Sequence, residues 1–370
     1  MAEKMEFFHS QIVKEFNREI EKYHLGPLWH AIPELMPHEP KPQAVAYLWK
    51  WKTLHTKLME AREIFTPDRG GERRAIYLQN PGLKHREPWG WASTTQTLYA
   101  AVQLILPGET APSHRHTQSA LRFITNGSGA YTIVQGERIF MEEGDYLITP
   151  GGLWHGHAHL GAEPMIWMDA LDIPTLYSIG GTFFEHYPEK IEQPKVPDNY
   201  SSQRYAGGMV RPISDRYPKI APLGSYKWSQ TLAAIHGLSQ YEPDPYDGYA
   251  IEYINPSNGK TANPNIAAWM QKIPKGFHSK AHRHTYSVIY QVFEGSGCSV
   301  INGVRFDWSK GDYFVVPNWA WHEHIATEDS FLFSVSDLPI MEKFSVQREE
   351  DYEKNQGHQE ITDEFKPLLP

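Results

Sequence analysis

Three separate stretches of this chain occur twice. AIYLQNP at 75–81 returns as AIEYINP at 250–256, and HRHTQSALRF at 114–123 returns as HRHTYSVIYQ at 282–291. GDYLITPGGLWHGH at 144–157 returns as GDYFVVPNWAWHEH at 311–324. The offset is close to 168 residues for the two histidine stretches and slightly longer for the first pair, far longer than the roughly 20–50 residues of a solenoid unit. A chain that repeats itself at this distance predicts two homologous domains, and 370 residues give each enough length for its own core. The 28 glycines, 28 prolines and 12 tryptophans suit a mainly β, turn-rich fold in which short strands alternate with tight connections.

The repeated stretches carry the chemistry. In APSHRHTQSALRFITNGSG, residues 111–129, His114 and His116 are two apart, a spacing that puts both side chains on one face of a strand. His155 follows after a glycine-bounded strand pattern, so the chain goes out and returns to a common point. Imidazole is the commonest transition-metal ligand, and three such groups can occupy one face of an ion. One histidine pair among 19 histidines would be a weak signal. The pair together with Gly108, Gly127, Gly144, Pro150, Gly152 and the third histidine is a strong one.

Those positions resemble the two conserved motifs of the cupin family, a double-stranded jelly-roll barrel. Many cupins place a glutamate ligand four residues after the second histidine, and here that position is Ala120. The implied site has three neutral histidines and no carboxylate. The whole chain is then a bicupin with an N-terminal helical segment. We divide it into 1–70 (helices and loop), 71–185 (first barrel), 186–245 (connection with a short helix near Trp228 to His236), 246–345 (second barrel) and 346–370 (C-terminal tail).

Composition narrows the partners. The net charge of −9, without a basic run, points away from nucleic acid and anionic membranes. Cys298 is the only cysteine, so no intrachain disulfide can form, which fits a reducing cytoplasm. The charged MAEKMEFF start lacks the apolar run of a signal peptide, and no apolar stretch approaches a membrane span. Met5, Phe8, Ile12, Phe16, Ile20 and Tyr23 recur at helical steps, predicting an amphipathic helix over 4–24 that packs on a barrel or a neighbouring subunit. Residues 31–46 are proline-rich and predict extended loop, and Leu54, Leu58 and Ala61 predict a helix from Trp51 to Ile64.

A narrower resemblance rests on PLWHAIPELMPHEP, AYLWKW, ERRAIYLQNPGL, LYAAVQLILPGE, HRHTQSALRF and WMDALDIP. These resemble gentisate 1,2-dioxygenase and its relatives that open salicylate or 1-hydroxy-2-naphthoate. The resemblance implies a cytoplasmic, Fe(II)-dependent, ring-cleaving homotetramer acting on an aromatic 2-hydroxy acid and O2. Three facial histidines agree, because they leave about three positions of an octahedral ion open. An ortho-hydroxy carboxylate can chelate at two, leaving one for O2. Cleavage of gentisate between the carboxyl- and hydroxyl-bearing carbons would give maleylpyruvate.

Around the metal ligands His114, His116 and His155, strand parity aims Gln118 and Arg122 inward. Arg122 is eight residues beyond His114 and suits a carboxylate anchor. His157 shares the face of His155 and could bond a substrate oxygen, move a proton or support the ligands. The resemblance adds Asp169 near the site, with Asp172 as a structural neighbour, and Tyr99 and Ala101 as pocket wall. A glycine in place of Ala101 is associated with salicylate-cleaving relatives, so Ala101 leans toward gentisate. Relatives often read WHDH where this chain has WHGH, with Gly156 in the middle. The second barrel has His282, His284 and His322, but Tyr290 replaces Arg122 and Tyr286 replaces Gln118, so the reaction is assigned to the first barrel. Two further readings compete: a zinc hydrolase on the same histidines, and a non-catalytic cupin that binds a small acid.

Overall fold

The computed structural model describes residues 9–65, 74–83, 93–217 and 219–369. The chain forms two compact units, Met1–Lys41 and Pro42–Pro370. Among the described residues no helix is long and apolar enough to cross a membrane.

The first unit holds the helices Gln11–Glu21 and Leu28–Leu35. Of the helix expected over 4–24, the positions of Met5 and Phe8 lie outside the described residues. The second helix corrects the expectation of extended loop from residue 31. Leu28, Ile32 and Leu35 recur at helical spacing, and this outweighs Pro33, whose missing N–H removes one hydrogen bond from a short helix. Phe16 and Trp29 bring the two helices' rings to 6.0 Å, yet neither helix buries a residue.

Among the described residues the second unit has four sheets. In the first barrel a six-stranded sheet runs Ser225–Tyr226, Tyr146–Thr149, Ala120–Asn126, Met165–Leu171, Tyr99–Ile105, Arg74–Tyr77. It faces a five-stranded sheet of Phe184–His186, Thr110–His116, His155–His159, Ala130–Val134 and Glu137–Phe140. The second barrel repeats the plan, with Tyr47–Trp49 at the edge of one sheet and Glu349–Asp351 beside His282–His284 in the other. Among the described residues pairing is antiparallel except between Val304–Ser309 and Asp363–Glu364. Alternating residues fill the barrels: Ile124, Leu147 and Trp167 in the first, Val292, Phe314 and Trp308 in the second. A third core joins the barrels, where Phe123 stacks on Phe333 at 4.0 Å.

Each barrel borrows a strand from the segment that precedes the other. Tyr47–Trp49, upstream of the first barrel, pairs with Tyr313–Val316 of the second. Ser225–Tyr226, within the expected connection 186–245, pairs with Tyr146–Thr149 of the first. A helix follows each borrowed strand, Trp51–Ile64 as expected and Trp228–Leu238 two residues longer than expected. Both helices are started the same way. Asp312 accepts from Trp51 N (2.7 Å) and pairs with Lys50; Asp145 accepts from Trp228 N (3.0 Å) and pairs with Lys227. Each indole lies against the glycine before its aspartate: a Cβ on Gly311 or Gly144 would meet Trp51 or Trp228 at 2.5 or 2.6 Å. Both glycines also have positive φ, so the GDY motif is a docking point for the exchanged segment.

A second reciprocal contact closes the barrels' ends. Asp172, before helix Ile173–Ser178, accepts from Ser119 N in its own barrel and from Asn265 of the other. Asp337, before helix Leu338–Lys343, accepts from Ser287 N in its own barrel and from Thr97 of the other.

Candidate active site

The first-barrel histidines meet because of register. His114 is the direct partner of His155 across strands Thr110–His116 and His155–His159, with a bulge between Ala111 and His114. His116 lies two residues on, and one nitrogen from each of the three rings lies within 4.8 Å of the others. Each Nδ1 faces a backbone carbonyl two residues away: Pro112 for His114 (3.2 Å), Gln118 for His116 (2.9 Å) and Leu153 for His155 (3.0 Å). A proton on Nδ1 is thereby fixed, and the lone pair resides on Nε2, the form a metal requires. Burial, then the neighbouring His114, Arg122 and His116, hold His155 well below the usual histidine range, so it stays neutral. The donor set therefore fits a metal ion.

The three histidines open onto a cavity of about 320 Å³. Gln118, Arg122, His157, Asp169 and Tyr99 line it with them. Arg122 is 4 % exposed, so its guanidinium is buried inside the barrel. Its Nε lies 3.1 Å from Asp169 Oδ1, and its Nη1 donates to Thr149 (2.7 Å). Asp169 Oδ2 accepts from Trp167 Nε1 (3.0 Å). The Tyr99 phenol is pushed far up, by burial first and then by Asp169 and Tyr77, so it remains a neutral donor.

Ala101 departs from expectation. It sits between Tyr99 and Gln103 on its strand, opposite Asp169 in register, and is buried without lining the cavity itself. Asp172 is also outside the cavity, in the inter-barrel contact already described. Sequence reasoning missed Gln103, Thr182, Phe183 and Phe184 in the wall, together with the apolar Ala75, Ala120, Leu171 and Ile173. Phe184 stacks on His114 with ring centres 5.4 Å apart, and Thr182 Oγ1 accepts from Gln118 Nε2 (3.3 Å). The cluster of aromatics in TFFEHYP, just after helix Ile173–Ser178, was the available signal.

Gly156 has a local cause. A Cβ there would lie 2.5 Å from Ser113 Oγ and 3.1 Å from the Ser113 backbone. Ser113 cannot retreat easily, because its Oγ accepts from Glu192 N and its backbone bonds Tyr187 and Lys190. In the second barrel the equivalent position is Glu323, a buried carboxylate between His278 and His358.

The fold and this site define a cupin protein with two barrels, and the sequence matches the cupin domain over residues 101–173 and 269–335. It is 38% identical to the 5-aminosalicylate 1,2-dioxygenase of Comamonas sp, over 94% of this chain and 93% of that protein. It is 39% identical to gentisate 1,2 dioxygenase 1 of Aquipseudomonas alcaligenes, over 91% and 95%. Among solved structures, the salicylate 1,2-dioxygenase of Pseudoaminobacter salicylatoxidans, as its adduct with gentisate, is 34% identical with a TM-score of 0.86, covering 92% of this chain and 94% of that one. The chain belongs to this family of aromatic 1,2-dioxygenases and is a ring-cleaving enzyme of the gentisate dioxygenase type.

Proposed function

We propose that the first barrel is an Fe(II) site that opens gentisate between its carboxyl- and hydroxyl-bearing carbons, giving maleylpyruvate. The observation that carries this reading is that the three-histidine cluster and the buried Arg122–Asp169 pair line one cavity of about 320 Å³. That volume is near the lower end of small-molecule sites and suits a single-ring acid.

His114, His116 and His155 would hold the metal through Nε2. Bound iron supplies the redox chemistry that joins O2 to the ring and positive charge for an anionic substrate. Arg122 would offer its guanidinium to the substrate carboxylate, while Asp169 and Thr149 fix its plane. Gln118, held by Thr182, offers a polar contact beside the histidines. His157, buried on the cavity wall, would bond a ring hydroxyl and accept its proton. Tyr99 donates from the opposite strand. Phe183 and Phe184, both largely exposed, give the cavity an apolar rim. Ala101 leans the pocket toward gentisate from behind the cavity wall, and we extend the family's homotetrameric, cytoplasmic habit to this chain.

Salicylate or 1-hydroxy-2-naphthoate is the second reading, favoured by the gentisate adduct of a salicylate enzyme, which shows that one such pocket takes both kinds of acid. Anaerobic Fe(II) reconstitution followed by oxygen-uptake assays with gentisate, salicylate and 1-hydroxy-2-naphthoate separates them. Gentisate should give the highest kcat/KM. Faster turnover of either other acid would reassign the substrate, and no uptake with any of them would refute the iron dioxygenase reading.

A further inference from the structure

We infer that the second barrel holds a divalent metal ion of its own, on His282, His284 and His322, in a cavity closed to aromatic acids. The carrying observation is that this triad reproduces the first. Ring-centre separations in the first barrel are 5.3, 4.2 and 4.8 Å for the pairs His114–His116, His114–His155 and His116–His155. In the second they are 5.5, 4.3 and 4.8 Å for the corresponding pairs. One nitrogen from each ring again lies within 4.8 Å of the others.

The backbone that orients the rings is repeated too. His284 Nδ1 faces Tyr286 O (2.7 Å) and His322 Nδ1 faces Ala320 O (3.0 Å), as His116 faces Gln118 O and His155 faces Leu153 O. Two of the three lone pairs are thus directed by the same device. Ordinary core packing does not account for the arrangement, because three converging imidazoles cost desolvation that aliphatic side chains of similar size would not.

The surroundings differ in a way that sets the occupant. The triad opens onto a cavity of about 330 Å³ walled by Asp247, Glu252 and Glu349, with no Lys or Arg among the described lining residues. Tyr290 stands where the first barrel has Arg122. Tyr286 stands where it has Gln118, stacks on His284 at 3.6 Å and donates to Glu349 (2.9 Å). Three carboxylates attract a divalent cation and repel a carboxylate ligand. In the first cavity the lining acid, Asp169, is neutralised by Arg122. The second barrel is therefore a site for a metal ion with water or a neutral ligand.

The test is anaerobic Co(II) binding to the full chain, read by metal content after dialysis and by visible absorption. The wild-type chain should hold two equivalents. His114→Ala/His116→Ala and His282→Ala/His284→Ala should each hold one, and the combined variant none. Gentisate should alter the spectrum of the ion left in the His282→Ala/His284→Ala protein, and leave unchanged that of the ion left in the His114→Ala/His116→Ala protein. One equivalent in the wild type, lost with the first-barrel histidines alone, overturns the inference without touching the first site. So does a second equivalent that survives His282→Ala/His284→Ala and disappears in His278→Ala/His358→Ala. A gentisate-induced change at the second-barrel ion overturns the exclusion of aromatic acids. The wild-type stoichiometry stands even if a variant fails to fold, and does not depend on which acid the first barrel cleaves.

Discussion

Arg122 and Asp169 are direct partners across neighbouring strands, and their side chains pair inside the first barrel, Nε to Oδ1 at 3.1 Å. The group assigned to the substrate carboxylate is therefore held in place before substrate arrives, with its charge already balanced. Arg122→Ala should lower gentisate affinity by more than tenfold while metal stays bound, because a charge-assisted contact of about 2–3 kcal/mol is lost. Tyr290→Ala in the second barrel should change that affinity by about threefold at most. Gentisate binding to the anaerobic Fe(II) variants, with iron content, measures both. The reverse pattern would move the reaction to the second barrel.

The metal ligands give a sharper contrast between binding and stability. His114→Ala, His116→Ala and His155→Ala should each lose tightly bound iron and turnover while the circular dichroism spectrum stays that of the native fold. A variant retaining full iron and near-normal rates would remove that histidine from the ligand set.

Gly156→Asp should be destabilising, since its Cβ would press on Ser113 at 2.5 Å. Overpacking of this kind costs about 1–3 kcal/mol. Thermal unfolding of the variant should shift downward by several degrees, and an unchanged melting temperature would show that Ser113 gives way freely.

Asp337 provides a pH signature. Burial pushes its carboxyl up from 3.8 to about 6, partly offset by bonds from Thr97 and Ser287. A raised carboxyl binds a proton on folding, so its contribution is fully present below about pH 4 and is lost as pH rises through about 6. The stability of the wild type minus that of Asp337→Asn should therefore fall between pH 4 and 7, by about 1–3 kcal/mol. Chemical denaturation across this range tests it; a difference that rises with pH would reverse the assignment.

The histidine triads, the repeat and helix Trp51–Ile64 were legible because each is a local pattern: ligand spacing, copied motifs, and Leu54 with Leu58 on one face. Strands Tyr47–Trp49, Ser225–Tyr226 and Phe184–His186 were not. At two or three residues they are too short to show a period, and the first two pair across long stretches of sequence. Their only trace is the matched WKW at 49–51 and YKW at 226–228. Ala101 shows the limit of resemblance: a matched family position marked it as pocket wall, but Tyr99 and Gln103 on the same strand line the cavity and the short Ala101 side chain does not. The helix Leu28–Leu35 was hidden by Pro33, which penalises a helix without forbidding one.

The reciprocal strands bear on how such a chain can be inherited. A break near residue 205 would leave one fragment with Tyr47–Trp49 but no Tyr313–Val316 to receive it, and the other with Ser225–Tyr226 and no Tyr146–Thr149. Each fragment would also bare the apolar face that now holds Phe123 against Phe333. Substitutions could strip a barrel of its chemistry one side chain at a time, as Tyr290 in place of Arg122 illustrates. Deleting that barrel would unravel an edge of the survivor, so the two copies are free to diverge but bound to persist together.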